Sequence, residues 1–180
     1  GDYRLLCYER DPWNDAGYDA KLSHSMHLAL AKPDSAFQAL NHNYGVLFPK
    51  GITQPDGAIT AKTLIQPCLF QISETLFGIF AVQTGPAGEN DLSSKGYLLG
   101  FTTTDFVHYQ QVPALKVGND LILEVRVDDQ LAHQVYWREA SGKCYAAKFW
   151  YDAAKQVFEV SGTVQHEVPA IPPKLALSDA

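Results

Sequence analysis

Short hydrophobic runs separated by turn-forming residues dominate the middle of the sequence. Residues 63–84 read TLIQPCLFQISETLFGIFAVQT, and residues 97–112 read YLLGFTTTDFVHYQQV. Runs of four to eight apolar and β-branched residues bounded by turn residues are typical of β-strands. The pattern therefore predicts three short strands joined by turns, at 64–70, 77–82 and 97–101.

The composition agrees with a globular, all-β chain. Of the 180 residues, 46% are hydrophobic and 19% are charged, which separates the chain from disordered proteins. The 12% of aromatic residues, together with 13 Gly and 10 Pro, favours strands linked by many turns. A chain of this length can bury a sizeable core in one domain without disulfides or a metal.

The charge and the apolar pattern exclude several classes of partner. The formal net charge is −6 and no basic run is present, so we predict neither nucleic acid nor an anionic membrane as a partner. No stretch approaches the roughly 20 apolar residues of a membrane span. No signal peptide is visible, which leaves open a cytoplasmic location or secretion after removal of a signal. Cys7, Cys68 and Cys144 each lie in a strand-like run and are predicted to be buried free thiols.

A repeated pattern extends beyond the central stretch. A hydrophobic strand, a polar loop, a second strand and a turn followed by an aromatic residue occur within 2–37, within 76–109 and, in shorter form, within 142–160. Repeats of short strands are the sequence signature of propeller blades. We therefore predict a β-propeller or propeller-derived domain of two to three blade-like sheets over 1–167, with a β-sandwich as the alternative. Residues 168–180 are rich in proline and are predicted to form an extended tail or linker, or a terminal strap lying over the domain.

The same segments resemble a known enzyme family. HLALAKPDSAFQALN at 27–41, IQPCLFQISETLFGIFAVQT at 65–84 and LLGFTTTDFVHYQQ at 98–111 are similar to segments of the family 43 glycoside hydrolases. The resemblance implies a five-bladed β-propeller and a ligand of the arabinan or xylan type. It also implies that the chain covers about half of such a propeller, so that the partners include further domains of a longer chain.

One position departs from the family pattern. Where the resemblance implies the Asp of an Asp-Pro pair as general base, this chain has Gln66 followed by Pro67. An inverting glycosidase needs a carboxylate there to activate water, and an amide cannot accept that proton at neutral pH. Gln66 can still hydrogen-bond a sugar hydroxyl as both donor and acceptor. The opening of the next blade also departs, because Ala132 is followed by His133 instead of Pro.

The other candidate site residues are carboxylates and aromatic rings. Glu124 and Asp128, or Asp129, are candidates for a catalytic carboxylate pair with Glu139, although such residues are more often solvated surface groups. Glu9 and Asp11 lie where a strand meets a loop and are candidates for the mouth of a funnel. The rings that are candidates for stacking on a sugar, although core packing is the commoner role, are Trp13, Tyr18, Trp137 and Trp150, with Trp13 favoured because its neighbours are polar.

No metal or cofactor site is predicted. His24 and His27 are three residues apart, which places them on opposite faces of a strand. Neither a Gly-x-Ser-x-Gly elbow nor a glycine-rich phosphate loop is present. The sequence thus favours a carbohydrate-related module that binds plant-type polysaccharide through Trp13, Gln66 and Trp137, or completes a larger multidomain glycosidase. The alternatives are an active arabinofuranosidase- or xylosidase-like hydrolase with its carboxylates elsewhere, and a protein-interaction or structural β-domain.

Overall fold

The structure is a computed structural model that describes residues 3–10, 20–128, 133–161 and 166–178. In these residues strands dominate, and the α-helical structure is one turn, α1, at Ala20–Ser23. No helix within the described ranges is long and apolar enough to cross a bilayer. The prediction of an all-β fold is confirmed. The strands are β1 (Arg4–Tyr8), β2 (His27–Ala31), β3 (Gln38–Ala39), β4 (Ile52–Thr53), β5 (Ile59–Thr60), β6 (Thr63–Gln71), β7 (Phe77–Thr84), β8 (Tyr97–Thr103), β9 (Tyr109–Lys116), β10 (Ile122–Asp128), β11 (Gln134–Glu139), β12 (Cys144–Asp152), β13 (Val157–Val160), β14 (His166–Val168) and β15 (Leu177–Ser178).

The strands form three larger antiparallel sheets and one hairpin. Sheet I has the order β15-β1-β2-β3, sheet II the order β6-β7-β8-β9, and sheet III the order β10-β11-β12-β13. β14 pairs with β12 beside β13, and β4 pairs with β5 in the hairpin. Sheets II and III are up-and-down meanders, because each strand pairs with the next one in the chain.

The main core lies between sheets II and III. Phe70 and Phe80 of sheet II pack edge-on against Phe149 and Phe158 of sheet III, with ring centroids 4.8–5.7 Å apart. Phe70 also lies directly over its cross-strand neighbour Gly78, where an added Cβ would stand 2.3 Å from the ring. Aromatic rings in this arrangement contribute about 0.5–1.5 kcal/mol per pair beyond the burial of their area.

A second core lies between sheets I and II. Leu28 of sheet I and Met26, which directly precedes β2, pack with Leu64, Ile79 and Phe101 of sheet II. β7 serves both cores, because side chains alternate across a strand. Its odd-numbered residues face sheet I and its even-numbered residues face sheet III. The three sheets therefore stack in chain order, with sheet II in the middle.

β6 of sheet II lies next to β1 of sheet I and next to β10 of sheet III, since it contacts both strands. The C-terminal segment joins the two ends of the stack. β14 pairs with sheet III, and the chain then runs extended through Pro172 and Pro173 to β15, which pairs with β1. The predicted boundary at 167 falls inside β14, and the tail lies against the sheets at both of its ends.

Candidate functional site

A bulge in β6 sets the position of Gln66. Ile65 pairs with Val82 and Cys68 pairs with Phe80, so β6 contains one residue more than β7 across this interval. The extra residue inverts the alternation: Leu64 faces sheet I, whereas Phe70 faces sheet III. Gln66 has a φ of 57°, a left-handed backbone that is uncommon for residues other than glycine. The bulge thus removes Gln66 from the regular ladder near the start of β6, an edge strand of sheet II.

The side chain of Gln66 is held by sheet III. Arg126 Nη1 donates a 2.8 Å hydrogen bond to Gln66 Oε1 and another, also of 2.8 Å, to the carbonyl of Val125. Arg126 Nε is buried and has no hydrogen-bond partner among the described residues. Glu124 lies beyond it and accepts a 2.6 Å hydrogen bond from Arg138. A chain of polar groups therefore links the bulge to β10 and β11.

On the side of sheet I, Gln66 is flanked by Glu9 and His24. Glu9 Oε2 lies 3.7 Å from His24 Nδ1, and both atoms are buried without a hydrogen-bond partner in the described part of the chain. Burial raises the pKa of Glu9, while the charge of His24 and a backbone hydrogen bond from Gln66 act in the opposite direction. A carboxyl in this position stays protonated to a higher pH than an ordinary Glu.

The tail contributes a positive charge to the same place. Lys174 lies close enough to Glu9 and Cys7 for its charge to lower the pKa of both groups.

The Cys7 thiol donates to the carbonyl of Pro67 at 3.0 Å, and the Cys68 thiol donates to the carbonyl of Val125 at 3.1 Å. Burial raises the pKa of Cys68 to about 12, so this thiol is not a nucleophile at neutral pH.

These groups form what we call the Gln66 cluster, which consists of Glu9, His24, Gln66, Arg126 and Lys174. It contains a carboxyl, an amide, an imidazole and two cations, and so offers hydrogen-bond donors and acceptors at short range. Among the described residues no group of three or more His, Cys, Asp or Glu side chains could hold a metal ion. The chemistry that the cluster offers is hydrogen bonding to polar groups.

Asp128 lies far from the other two predicted catalytic carboxylates. Glu124 and Glu139 are close within the sheet, because Glu124 pairs with Arg138, but their side chains point to opposite faces of it. Glu139 pairs with Ile122 at one end of β10, and Asp128 lies at the other end, six residues away and hence about 20 Å along the strand. Glu124 lies four residues from Asp128, about 13 Å, and is ion-paired with Arg138. Glycosidase carboxylates are at most about 9.5 Å apart. Glu139 is buried and accepts a hydrogen bond from Trp137 Nε1 at 3.3 Å.

The two predicted aromatic platforms that the structure describes differ in exposure. Trp137 is fully buried in the core between sheets II and III, so both faces of its ring are covered and we assign it a packing role. Trp150 is exposed on β12 and donates to Glu159 at 3.0 Å. The remaining candidates lie outside the described residues; they are Asp11, Trp13, Tyr18 and Asp129.

Sequence reasoning identified Gln66 and Glu9 but missed their neighbours. Arg126 is a basic residue inside the apolar alternation of β10, and that interruption is a signal that was available. His24 was considered only as a metal ligand. Lys174 carries no signal in the sequence, because its proximity to Glu9 depends on how the tail crosses the sheets.

No model of a known protein family matches this chain, and no curated protein sequence matches it either.

Proposed function

We propose that this chain is a glycan-binding β-module, built from consecutive propeller blades and related to the family 43 glycoside hydrolases. In this proposal it binds or positions plant-type polysaccharide at the Gln66 cluster, by itself or as part of a larger multidomain glycosidase. Gln66 takes the place of the general base, so the module holds its ligand without activating water.

The stacking of the sheets supports the propeller assignment. Propeller blades are four-stranded meanders that stack face to face with their innermost strands closest together. Sheets II and III have this topology, and β6 contacts both β1 and β10. A β-sandwich consists of two packed sheets, whereas three sheets stack here.

The observation that carries the proposal is the set of unsatisfied polar atoms around Gln66. Glu9 Oε2 and His24 Nδ1 face each other at 3.7 Å, beyond hydrogen-bond distance, and Arg126 Nε is a donor; all three atoms are buried without a hydrogen-bond partner in the described residues. Buried polar atoms normally have partners, because leaving one unpaired costs about 1–3 kcal/mol. A sugar hydroxyl both donates and accepts, so a ring bearing several hydroxyls suits such a mixed set.

Glu9 favours a second function, that of an active glycosidase. A general acid in such an enzyme must be protonated near neutral pH, and burial raises the pKa of Glu9 in that direction. In this second case Glu9 donates the proton to the leaving oxygen, and the base comes from a carboxylate other than Gln66.

Calorimetric titration with arabino- and xylo-oligosaccharides tests the proposal. We expect wild-type binding to weaken at least about tenfold, or about 1.4 kcal/mol, in Gln66→Ala. Gln71→Ala is the matched control, because Gln71 lies on the same strand and is exposed. No binding by the wild type, or an equal loss in both variants, would overturn the proposal and leave the protein-interaction alternative.

Hydrolysis of aryl arabinosides and xylosides separates the two functions. A glycan-binding module gives no turnover. Turnover that disappears in Glu9→Gln while binding persists would replace the binding proposal by the glycosidase.

A further inference from the structure

A cavity of about 350 Å³ opens on sheet II and is lined by none of the residues of the Gln66 cluster. Its volume is near the lower limit for small-ligand sites, which suits one or two sugar rings better than a large cofactor. Polar side chains line one wall, and an aromatic ring with small apolar groups lines the rest. The lining residues are Gln83, Ser93, Ser94, Tyr97, Leu99 and Ala114.

A buried carboxylate fixes the polar wall. Asp91 Oδ2 accepts hydrogen bonds from Gln83 Nε2 at 3.0 Å and Lys62 Nζ at 2.7 Å, and Asp91 Oδ1 accepts one from Ser93 Oγ at 2.6 Å. Burial of Asp91 opposes its ionisation, but the hydrogen bonds from Lys62, Ser93 and Gln83 outweigh burial and lower its pKa to about 2. With its NH₂ group bonded to Asp91, Gln83 directs its amide oxygen away from the carboxylate. The hydrogen bonds to Asp91 therefore fix the side chains of Gln83 and Ser93 in the lining of the cavity.

The aromatic part of the lining is the ring of Tyr97, which is 39% exposed at the start of β8. Lys116 Nζ lies 5.8 Å from the centre of this ring. An aromatic ring beside polar acceptors suits a sugar, which has apolar C–H groups on its faces and hydroxyls at its edge. The charge of Asp91 is already matched by Lys62, so the carboxylate does not call for a cationic ligand and leaves room for a neutral sugar.

The cavity and the Gln66 cluster lie at the same edge of the stack. β6 begins, β7 ends, β8 begins and β9 ends at this edge of sheet II, because neighbouring strands are antiparallel. The loop from 85 to 96 carries Ser93 and reaches the cluster through Gly88, whose φ is +81°. A Cβ on Gly88 would stand 2.2 Å from the ring of His24, so only glycine allows this approach.

We infer that Gln83, Ser93 and Tyr97 form a second sugar subsite. It takes a further neutral sugar residue of the same oligosaccharide whose other end binds at the Gln66 cluster. This inference rests on the proposed function, and it makes the ligand a chain of several sugars instead of a single residue.

A comparison of ligand lengths tests the subsite. Calorimetry with xylo- and arabino-oligosaccharides, from disaccharides to hexasaccharides, is carried out on the wild type, Tyr97→Ala and Tyr97→Phe. We expect Tyr97→Ala to weaken hexasaccharide binding about tenfold and to leave disaccharide binding at the Gln66 cluster unchanged. Tyr97→Phe keeps the ring and should retain most of the affinity.

Amide chemical shifts distinguish the failure of the subsite from the failure of the proposed function. With a hexasaccharide we expect shifts at Gln66 and at both Gln83 and Tyr97. Shifts at the Gln66 cluster alone, or equal affinity of the wild type and Tyr97→Ala for hexasaccharides, would overturn the subsite and leave the proposed function standing. No shifts with any oligosaccharide would overturn both.

Discussion

Arg126 of sheet III donates a 2.8 Å hydrogen bond to the side-chain oxygen of Gln66 in sheet II. This contact crosses from one sheet to the next and fixes the amide at the bulge of β6. Arg126 is charged at every accessible pH, so an acceptor at position 66 is favoured over an apolar side chain. The contact therefore links the proposed ligand site directly to the packing of the two sheets.

Removing the acceptor should destabilise the protein. In Gln66→Ala the Arg126 guanidinium loses a partner in a largely buried position, and we expect a loss of about 1–3 kcal/mol in the free energy of unfolding. Gln66→Glu keeps an acceptor and should be at least as stable as the wild type at neutral pH. Urea denaturation measures both values. Gln71→Ala is the control and should change stability by less than about 0.5 kcal/mol, and an equal effect at positions 66 and 71 would contradict the role of the contact.

Glu9 should make stability fall as the pH rises. Its folded pKa is raised above the ordinary value of about 4.5, mainly by burial, so its contribution is fully present below about pH 4.5. That contribution is lost as the pH increases through the raised pKa. We therefore expect Glu9→Gln to be more stable than the wild type at neutral pH, with the difference shrinking towards pH 4.5. Melting temperatures recorded across this range provide the test, and parallel curves for the two proteins would count against the raised pKa.

Replacing Lys174 should shift the pH at which Glu9 lowers the melting temperature. Its charge lowers the pKa of Glu9, so Lys174→Met should raise that pKa further. We expect the fall in melting temperature to move to higher pH in this variant. A fall that stays at the same pH would show that the tail does not place Lys174 near Glu9 in solution.

Trp137 should matter for stability and not for binding. Its side chain is fully buried, and Trp137→Ala should cost about 3–5 kcal/mol. The exposed Trp150 is the matched control, since Trp150→Ala should cost far less. Trp137→Phe keeps most of the packing and allows oligosaccharide affinity to be measured on folded protein. A large loss of affinity in Trp137→Phe would contradict the packing role and indicate that Trp137 contributes to ligand binding.

The three cysteines should be unreactive in the folded protein. Cys7, Cys68 and Cys144 are free and buried, and burial raises the pKa of Cys7 and of Cys68. We expect a thiol-specific chromogenic reagent to label none of them in the native state and all three after denaturation. Rapid labelling of the native protein would mean that the strands carrying these residues open readily.

The alternation of apolar and polar residues predicted most of the strands. The strands predicted at 64–70, 77–82 and 97–101 became β6, β7 and β8, because the side-chain period of a strand is local and visible in the sequence. The extra residue at the bulge interrupts this period. Leu64 and Phe70 are six residues apart, so in a regular strand they would face the same side, but they face opposite cores. The pattern alone does not say which residue is the extra one.

What the sequence determined by itself is therefore the all-β class, the positions of the central strands and the presence of a side-chain amide at Gln66. Only the tertiary structure decided that Gln66 lies beside Arg126 and Glu9, and that Asp128 and Glu139 are at opposite ends of the paired strands β10 and β11. The physical reason is that the two depend on interactions over different distances along the chain. Strand formation depends on neighbours within a few residues, whereas a site between sheets depends on how sheets stack and on where the tail crosses them, and no local periodicity encodes either.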